Sequence, residues 1–328
     1  MYRLGLLKSA HYSLPIISIG NLKTGGTGKS PMIHYLVEQL KPYIHLAVIS
    51  RGYGRKELGI REVLPDSTAL NLGDEPVALK QKFPDIAVWV SESRAEGVLH
   101  AKGSRPQLQT ILLDDAHQHL GLTPSHRILL TEYEDPFYND YLLPAGDLRE
   151  PRQGAASANI VVVTKCPPSL SDTEKQEIAK KIAEYAPQAT LFFAAYTNAL
   201  PYHFQQKTTQ LQPNKAQSVI LISAIARPHY LERWVKSNFK LTTSLEYQDH
   251  YNFSKSNLSY LADLWRTHPD SVILTTEKDL TRLLEHQAFL EQTKLPIYVV
   301  PVSVQMLDQP NQISFIEKIK TLLLDFKA

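Results

Sequence analysis

Seventeen residues, Pro15 to Pro31, restrict this chain more than any other stretch, because they read as a buried strand, a glycine-rich turn and a helix start in immediate succession. Ile16, Ile17 and Ile19 form a short apolar run suited to a strand covered on both faces. Gly25, Gly26 and Gly28 then let the backbone fold back so that several N–H groups aim at one anionic point. Lys29 would give a point charge to outer phosphates and Ser30 a hydroxyl to Mg2+. Pro31 presets φ in a first helical turn whose dipole also favours an anion. The pattern is that of a cradle for a nucleoside triphosphate such as ATP, with Lys23, Thr24, Gly25, Gly26, Thr27, Gly28, Lys29 and Ser30 as its nucleotide-binding candidates. The usual spacing G-x-x-x-x-G-K-[ST] asks for glycine at position 23, where Lys23 stands, so the match is to the Gly-Gly-x-Gly-Lys-Ser variant. A plain glycine-rich turn between strand and helix is the alternative.

A chain of 328 residues with 43% apolar content can bury a large core, and its length suggests two domains. The net charge of +2 gives no footprint for nucleic acid, and nothing implies a protein partner. One cysteine, Cys166, excludes an internal disulfide framework and is consistent with a reducing cytoplasm. No apolar run is long enough to span a bilayer, and the start lacks a secretory signal, which places the expected protein on the cytoplasmic side.

Downstream, strand and helix patterns alternate. A helix from Met32 to Leu40 leads to a strand at His45 to Ser50, whose end carries Arg51-Gly52-Tyr53-Gly54-Arg55. Asp74 and Glu75 open a helical stretch, either as helix-start acids or as functional groups, and a strand at Ile86 to Ser91 leads to Arg94. The run Gln109 to Leu113 ends in Asp114-Asp115. Acids at a strand tip downstream of such a cradle hold Mg2+ or its waters beside the phosphates, and together with Ser30 they form the expected metal set. His117 and His119 nearby also allow zinc, but one loop offers no closed four-ligand set. With strands at Arg127 to Thr131 and Asn159 to Thr164, the alternation predicts an α/β fold, a doubly wound and mostly parallel sheet with helices on both faces. Lys165 ends a strand where a nucleotide base could lie against its stem. Residues 1–189 are expected to form this first domain. The segment 190–204 would cross to a second, smaller α/β domain over 190–328 that includes the strand Ile297 to Val302 and a closing helix Ile313 to Phe326. There Asp249-His250 and Glu277-Lys278 sit at strand ends, the latter readable as a surface ion pair.

Several short pieces, taken in order over nearly the whole chain, resemble one family. They are Ile19-Gly20-Asn21-Leu22 with Gly25 to Pro31, Ser50-Arg51-Gly52-Tyr53, Gly73-Asp74-Glu75-Pro76, Asp114-Asp115 with Gln118-His119, Leu143-Pro144-Ala145-Gly146 with Leu148-Arg149-Glu150, Asp249-His250, and Thr276-Glu277-Lys278-Asp279. The family is that of the tetraacyldisaccharide 4'-kinases of lipid A synthesis. The resemblance implies a P-loop kinase fold and transfer of phosphate from ATP to the 4'-hydroxyl of an acylated glucosamine disaccharide 1-phosphate, by a peripheral enzyme on the cytoplasmic face of the inner membrane. It also implies that Asp74 and His250 together take the hydroxyl proton, that Lys29 clamps the transferring phosphate, and that Arg51, Arg94, Arg149 and Glu150 contact the lipid substrate. Ala116 stands where the family has glycine. The start lies close to Leu-Gly-Leu-Leu-Lys, so either the start codon is misplaced or membrane docking uses other surfaces. A P-loop kinase of a soluble metabolite and a nucleotide-switch NTPase are the alternatives.

Overall fold

The computed structural model describes residues 12–117, 121–307 and 313–326, so Gln118, His119 and the first eleven residues fall outside the description. The first run of elements comprises β1 (Ile16–Gly20), α1 (Lys29–Leu40), β2 (Leu46–Ser50), β3 (Arg61–Glu62), α2 (Ala69–Leu72), α3 (Asp74–Lys82), β4 (Ala87–Val90) and α4 (Arg94–Ser104). It continues through β5 (Thr110–Asp114), β6 (His126–Glu132), β7 (Ile160–Thr164), α5 (Asp172–Ala183) and β8 (Thr190–Asn198). A second run follows, with β9 (Tyr202–His203), β10 (Asn214–Ser223), α6 (Pro228–Asn238), β11 (Phe239–Glu246), α7 (Lys255–Thr267), β12 (Val272–Thr276), α8 (Glu277–Leu283), α9 (Gln287–Thr293) and β13 (Ile297–Val300). The strand β14 (Val302–Met306) and the helix α10 (Phe315–Leu324) come last.

Nine strands form one sheet in the order β14-β8-β7-β6-β1-β5-β2-β4-β3, parallel except for its two outermost strands. The strand β1 is central, and all five of its residues are buried. Its side chains alternate between two cores: Ile17 and Ile19 meet Met32, Leu36 and Val37 of α1, whereas Ile16 joins Ile49, Leu113 and Val98 of α4 on the other face. Helices on both faces explain why these strands read as continuous apolar runs, without the alternation of a half-exposed strand. Each fully buried side chain of this kind contributes roughly 1.5–3 kcal/mol of transfer free energy. The doubly wound α/β sheet expected from the sequence is the one found. Five strands, β11-β10-β12-β13-β9, make the second sheet, parallel except for β9, with apolar clusters on both faces.

The expected division at 189/190 is corrected by the sheet. β8 belongs to the first sheet, pairing with β7 from Ile160↔Thr190 to Val163↔Phe193, because Phe192, Phe193, Ala194 and Ala195 suit an interior strand rather than a crossing. The anticipated strand Ile297 to Val302 is two strands, and the second of them, β14, returns to the first sheet antiparallel to β8. The closing helix follows it there: Phe315 and Ile319 are fully buried in the first core, with the Phe315 ring 5.2 Å from that of Phe192. Residues 199–301 are therefore an insertion between neighbouring strands of the first sheet. Its two ends meet where the Ala199 N–H donates to the Pro301 carbonyl at 2.9 Å.

Candidate active site

The turn after β1 is shaped from outside by side chains. Gly25 and Gly28 have φ of 89° and 87°, the left-handed region that favours glycine. At Gly28 a close approach adds to this, because a Cβ there would lie 2.3 Å from the Tyr196 ring. The Tyr196 hydroxyl donates to the Gly28 carbonyl at 2.9 Å, Thr164 Oγ1 to the Thr27 carbonyl at 2.9 Å, and Lys165 Nζ to the Gly26 carbonyl at 2.7 Å. Three consecutive carbonyls are thus satisfied by residues of β7, β8 and the turn between β7 and α5, so the loop's shape does not depend on a phosphate. Lys29, the first residue of α1, has only long contacts among the described residues, 3.5 Å to Asn21 Oδ1 and 3.6 Å to Asp115 Oδ1, which leaves its ammonium available to an anion. Ser30 donates its hydroxyl to Glu75 Oε1 at 3.0 Å.

Lys23, expected at the nucleotide, is elsewhere. It is 3% exposed, and its ammonium is bound 2.7 Å from Asp140 and also by Asp135, since a buried cation settles on the carboxylates it can reach. Lys23 pins the loop after β6. Thr24 through Ser30 all line the cleft.

The acids at the end of β5 have separate surroundings. Asp114 is buried; its Oδ2 accepts from Ser50 at 3.3 Å, and its Oδ1 has no hydrogen-bond partner among the described residues. Burial, with Glu75 and Asp115 nearby, pushes the Asp114 carboxyl up to about 7. Ser30, Glu75 and Asp114 share a pocket of about 10 Å3, the size of one water-scale particle. Asp115, at a left-handed φ of 46°, meets Arg149 at 3.0 Å. Burial would raise its pKa, but the charges of Lys29 and Arg149 outweigh burial and hold it low. Of the four expected substrate contacts, Arg149 lines the cleft. Arg94 is corrected: at 2% exposure it donates to the carbonyls of Ser91 at 2.7 Å and Asp114 at 2.8 Å, so it holds the acid strand and cannot reach a substrate. Arg51 is exposed in the loop after β2 and Glu150 packs beside Gly154; neither is among the described residues that line the cleft.

The inserted unit brings His250 to the first one. Asp74 opens α3 after Gly73, whose φ is 97° and where a Cβ would press on the Gly52 backbone at 3.1 Å. His250 Nδ1 lies 3.0 Å from Asp74 Oδ2, and the Glu75 N–H donates to Asp74 Oδ1 at 2.9 Å. Asp74 is 5% exposed. Burial alone would raise its pKa, but the bond to His250 and the cations Lys278 at 3.9 Å and Arg282 at 3.6 Å outweigh it and hold the carboxyl below its ordinary value. The ring of Tyr53 stands 4.9 Å from that of His250. A further ion pair, Lys82 to Glu277 at 3.0 Å, ties α3 to α8. Lys278, readable in the sequence as a surface charge, is central to this cluster; its position just after β12, on the carboxyl edge of the second sheet, and its place in the piece Thr276 to Asp279 were the available signals. Tyr196 and Arg282 carried no motif signal.

Between the units lies a cleft of about 950 Å3. The glycine loop, Asp115 and Arg149 line it together with His250 and Lys278, and Lys165, Tyr230 and Trp234 extend it along α6. Such a space accommodates two substrates with a phosphate between them.

The profile of the family described as Tetraacyldisaccharide-1-P 4'-kinase matches residues 1–321. A tetraacyldisaccharide 4'-kinase of Bacteroides thetaiotaomicron is 35% identical over 92% of this chain and 83% of its own length. One of Flavobacterium johnsoniae is 38% identical over 89% of this chain and 84% of its own length. Among solved structures, the "apo" form of LpxK from Aquifex aeolicus in complex with ATP superposes with a TM-score of 0.72 and 26% identity, covering 98% of this chain and 91% of that one.

Proposed function

This chain belongs to the tetraacyldisaccharide 4'-kinase family, and from that premise we propose how its residues carry out the transfer. The chain is an ATP-dependent kinase that phosphorylates the 4'-position of the lipid A disaccharide. In the proposed mechanism the glycine loop and Lys29 hold the outer phosphates, and Arg149 reaches the same charge from the loop between β6 and β7. Asp74, oriented by His250, accepts the proton of the 4'-hydroxyl as the sugar oxygen attacks the γ-phosphorus. Catalysis here is mostly positioning and charge stabilisation, the usual pattern in phosphoryl transfer. The observation that carries the assignment is the 3.0 Å contact between the buried Asp74 and His250, the latter of which lines the cleft together with the glycine loop.

The donor set fits Mg2+. Ser30 and Asp114, whose buried Oδ1 has no partner among the described residues, line one small pocket with Glu75, and Asp115 follows at the same strand end; all offer hard oxygens, and a partial protein shell suits an ion that takes its remaining ligands from phosphate and water. When bound, Mg2+ would neutralise charge on the phosphates held by Lys29.

The enzyme works as a peripheral protein at the cytoplasmic face of the inner membrane. No helix among the described residues is long and apolar enough to cross a membrane, while the acyl chains of the acceptor keep it in a lipid layer. Tyr141, Leu142 and Leu143, exposed to 65, 46 and 54%, sit on the loop that leads directly to Arg149. That loop would meet the bilayer.

The test is transfer of labelled γ-phosphate to a purified tetraacyl disaccharide 1-phosphate, with Asp74→Ala, His250→Ala and the double variant alongside. Label should appear on the lipid. Each single loss should fall mainly on kcat, and the double variant should lose much less than the product of the two, since groups acting as a unit are non-additive. ATP hydrolysis at full rate without acceptor would instead favour a nucleotide switch, and multiplicative losses would remove the pair from the mechanism.

A further inference from the structure

Both nitrogens of His250 are occupied, and the second contact decides what the ring can do. Nδ1 faces Asp74 Oδ2 at 3.0 Å, while Nε2 faces Lys278 Nζ at 3.2 Å. An ammonium has three donors and no lone pair, so it can bond only to a bare ring nitrogen. Lys278 is kept charged by its neighbours. Burial would lower its pKa, but the carboxylates of Glu75 at 3.6 Å, Asp74 at 3.9 Å and Asp249 at 3.1 Å outweigh that and hold it above the usual lysine value. The remaining groups around the ring are Asp249, 3.7 Å from Nε2, and the ring of Tyr53, with Arg282 on the far side of Asp74.

We propose that Lys278 is a positioning residue for the phosphoryl transfer: by donating to His250 Nε2 it fixes the neutral Nδ1–H tautomer, which leaves Asp74 as the proton acceptor. The inference rests on the kinase mechanism above and settles which member of the pair takes the proton. The O–H bond of the sugar breaks, its proton passes to the Asp74 carboxylate, the sugar oxygen bonds to the γ-phosphorus, and ADP leaves with the electrons of the broken P–O bond. His250 gives no lone pair to this step. It aims Asp74 through the hydrogen on Nδ1, and Lys278 keeps that hydrogen there by occupying Nε2.

Two measurements on the full chain test this. In wild type labelled with 15N-histidine, the His250 signals, identified by their loss in His250→Gln, should show a bare Nε2 and a protonated Nδ1. In Lys278→Met, kcat should fall about 10- to 100-fold with the KM for ATP within about twofold. In the same variant the 15N signals of His250 should show the hydrogen divided between Nδ1 and Nε2, because the donor that kept Nε2 bare is gone. Lys278→Arg, also a donor with no lone pair, should keep the wild-type tautomer. A hydrogen on Nε2 in wild type, or a Lys278→Met variant that keeps both the wild-type tautomer and the wild-type kcat, overturns the proposal. The tautomer is read without turnover, so a wild type that leaves the lipid unphosphorylated would defeat the kinase mechanism separately.

Discussion

The sharpest contrast between single residues is within the pair Asp114 and Asp115, adjacent in sequence yet shifted in opposite directions. Asp115 is drawn down by Lys29 and Arg149, while Asp114, with one oxygen unpartnered, is pushed from the ordinary 3.8 up to about 7. A folded-state pKa above the unfolded one means that the folded protein binds the extra proton. Stability therefore falls as pH rises from about 4 to about 7 and levels off beyond. Asp114→Asn removes that titration. In EDTA and without nucleotide the variant should melt above wild type at pH 8, with the gap closing toward pH 4, whereas Mg2+ and ATP should stabilise wild type more than the variant. Calorimetry across pH checks this, and a pH-independent gap would show that Asp114 does not titrate as described. Residue types and spacing were enough to nominate Lys29 and the acid pair, whereas Asp74, readable as a helix-start acid, was nominated only through the family resemblance. They could not reveal that Lys23 and Arg94 are buried among local partners, because burial of a cation depends on what the tertiary fold brings beside it.

Among the elements, the glycine loop and the strand that backs it, β8, act as one part. Gly28 needs both a positive φ and room for the Tyr196 ring, so Gly28→Ala should weaken ATP binding at least tenfold while the sheet stays folded. Tyr196→Leu in the same background should recover only part of the loss, because it relieves the contact but not the dihedral. Titration of a fluorescent ATP analogue measures both, and full recovery would mean that φ is unimportant here. The strand run and the helix start of this part were legible from Ile16 to Pro31. The role of β8 was harder to read, because Thr190 to Asn198 shows which sheet it joins only through the neighbours it pairs with. Its apolar pairs Phe192-Phe193 and Ala194-Ala195 were the physical cue that it is covered on both faces. The element types of the insertion were readable in the same way, while its point of attachment was not, since periodicity says nothing about which sheet a strand joins.

At the scale of the molecule, the proposed function would draw on two surfaces: the cleft for phosphate and the exposed loop at Tyr141 to Leu143 for lipid. Replacing Tyr141, Leu142 and Leu143 together by serine should lower binding to vesicles of bacterial phospholipid severalfold and raise the KM for the acylated acceptor, with ATP hydrolysis and melting temperature little changed. Vesicle sedimentation reads the first effect, and unchanged binding would assign the membrane contact to another surface. The meeting of the insertion's two ends at the hydrogen bond between Ala199 and Pro301 has a consequence for how the chain reaches this structure. During folding, β14 must find β8 across some hundred residues, a closure that in an unstructured chain has an entropic cost growing with the logarithm of the loop length. An insertion that folds first holds its own ends side by side, so the host sheet then closes a gap of effectively a few residues. Destabilising the interior of the insertion should therefore slow docking of β14 and α10, which lie outside it, and pulse-labelled amide exchange at Phe315 to Leu324 would report the delay.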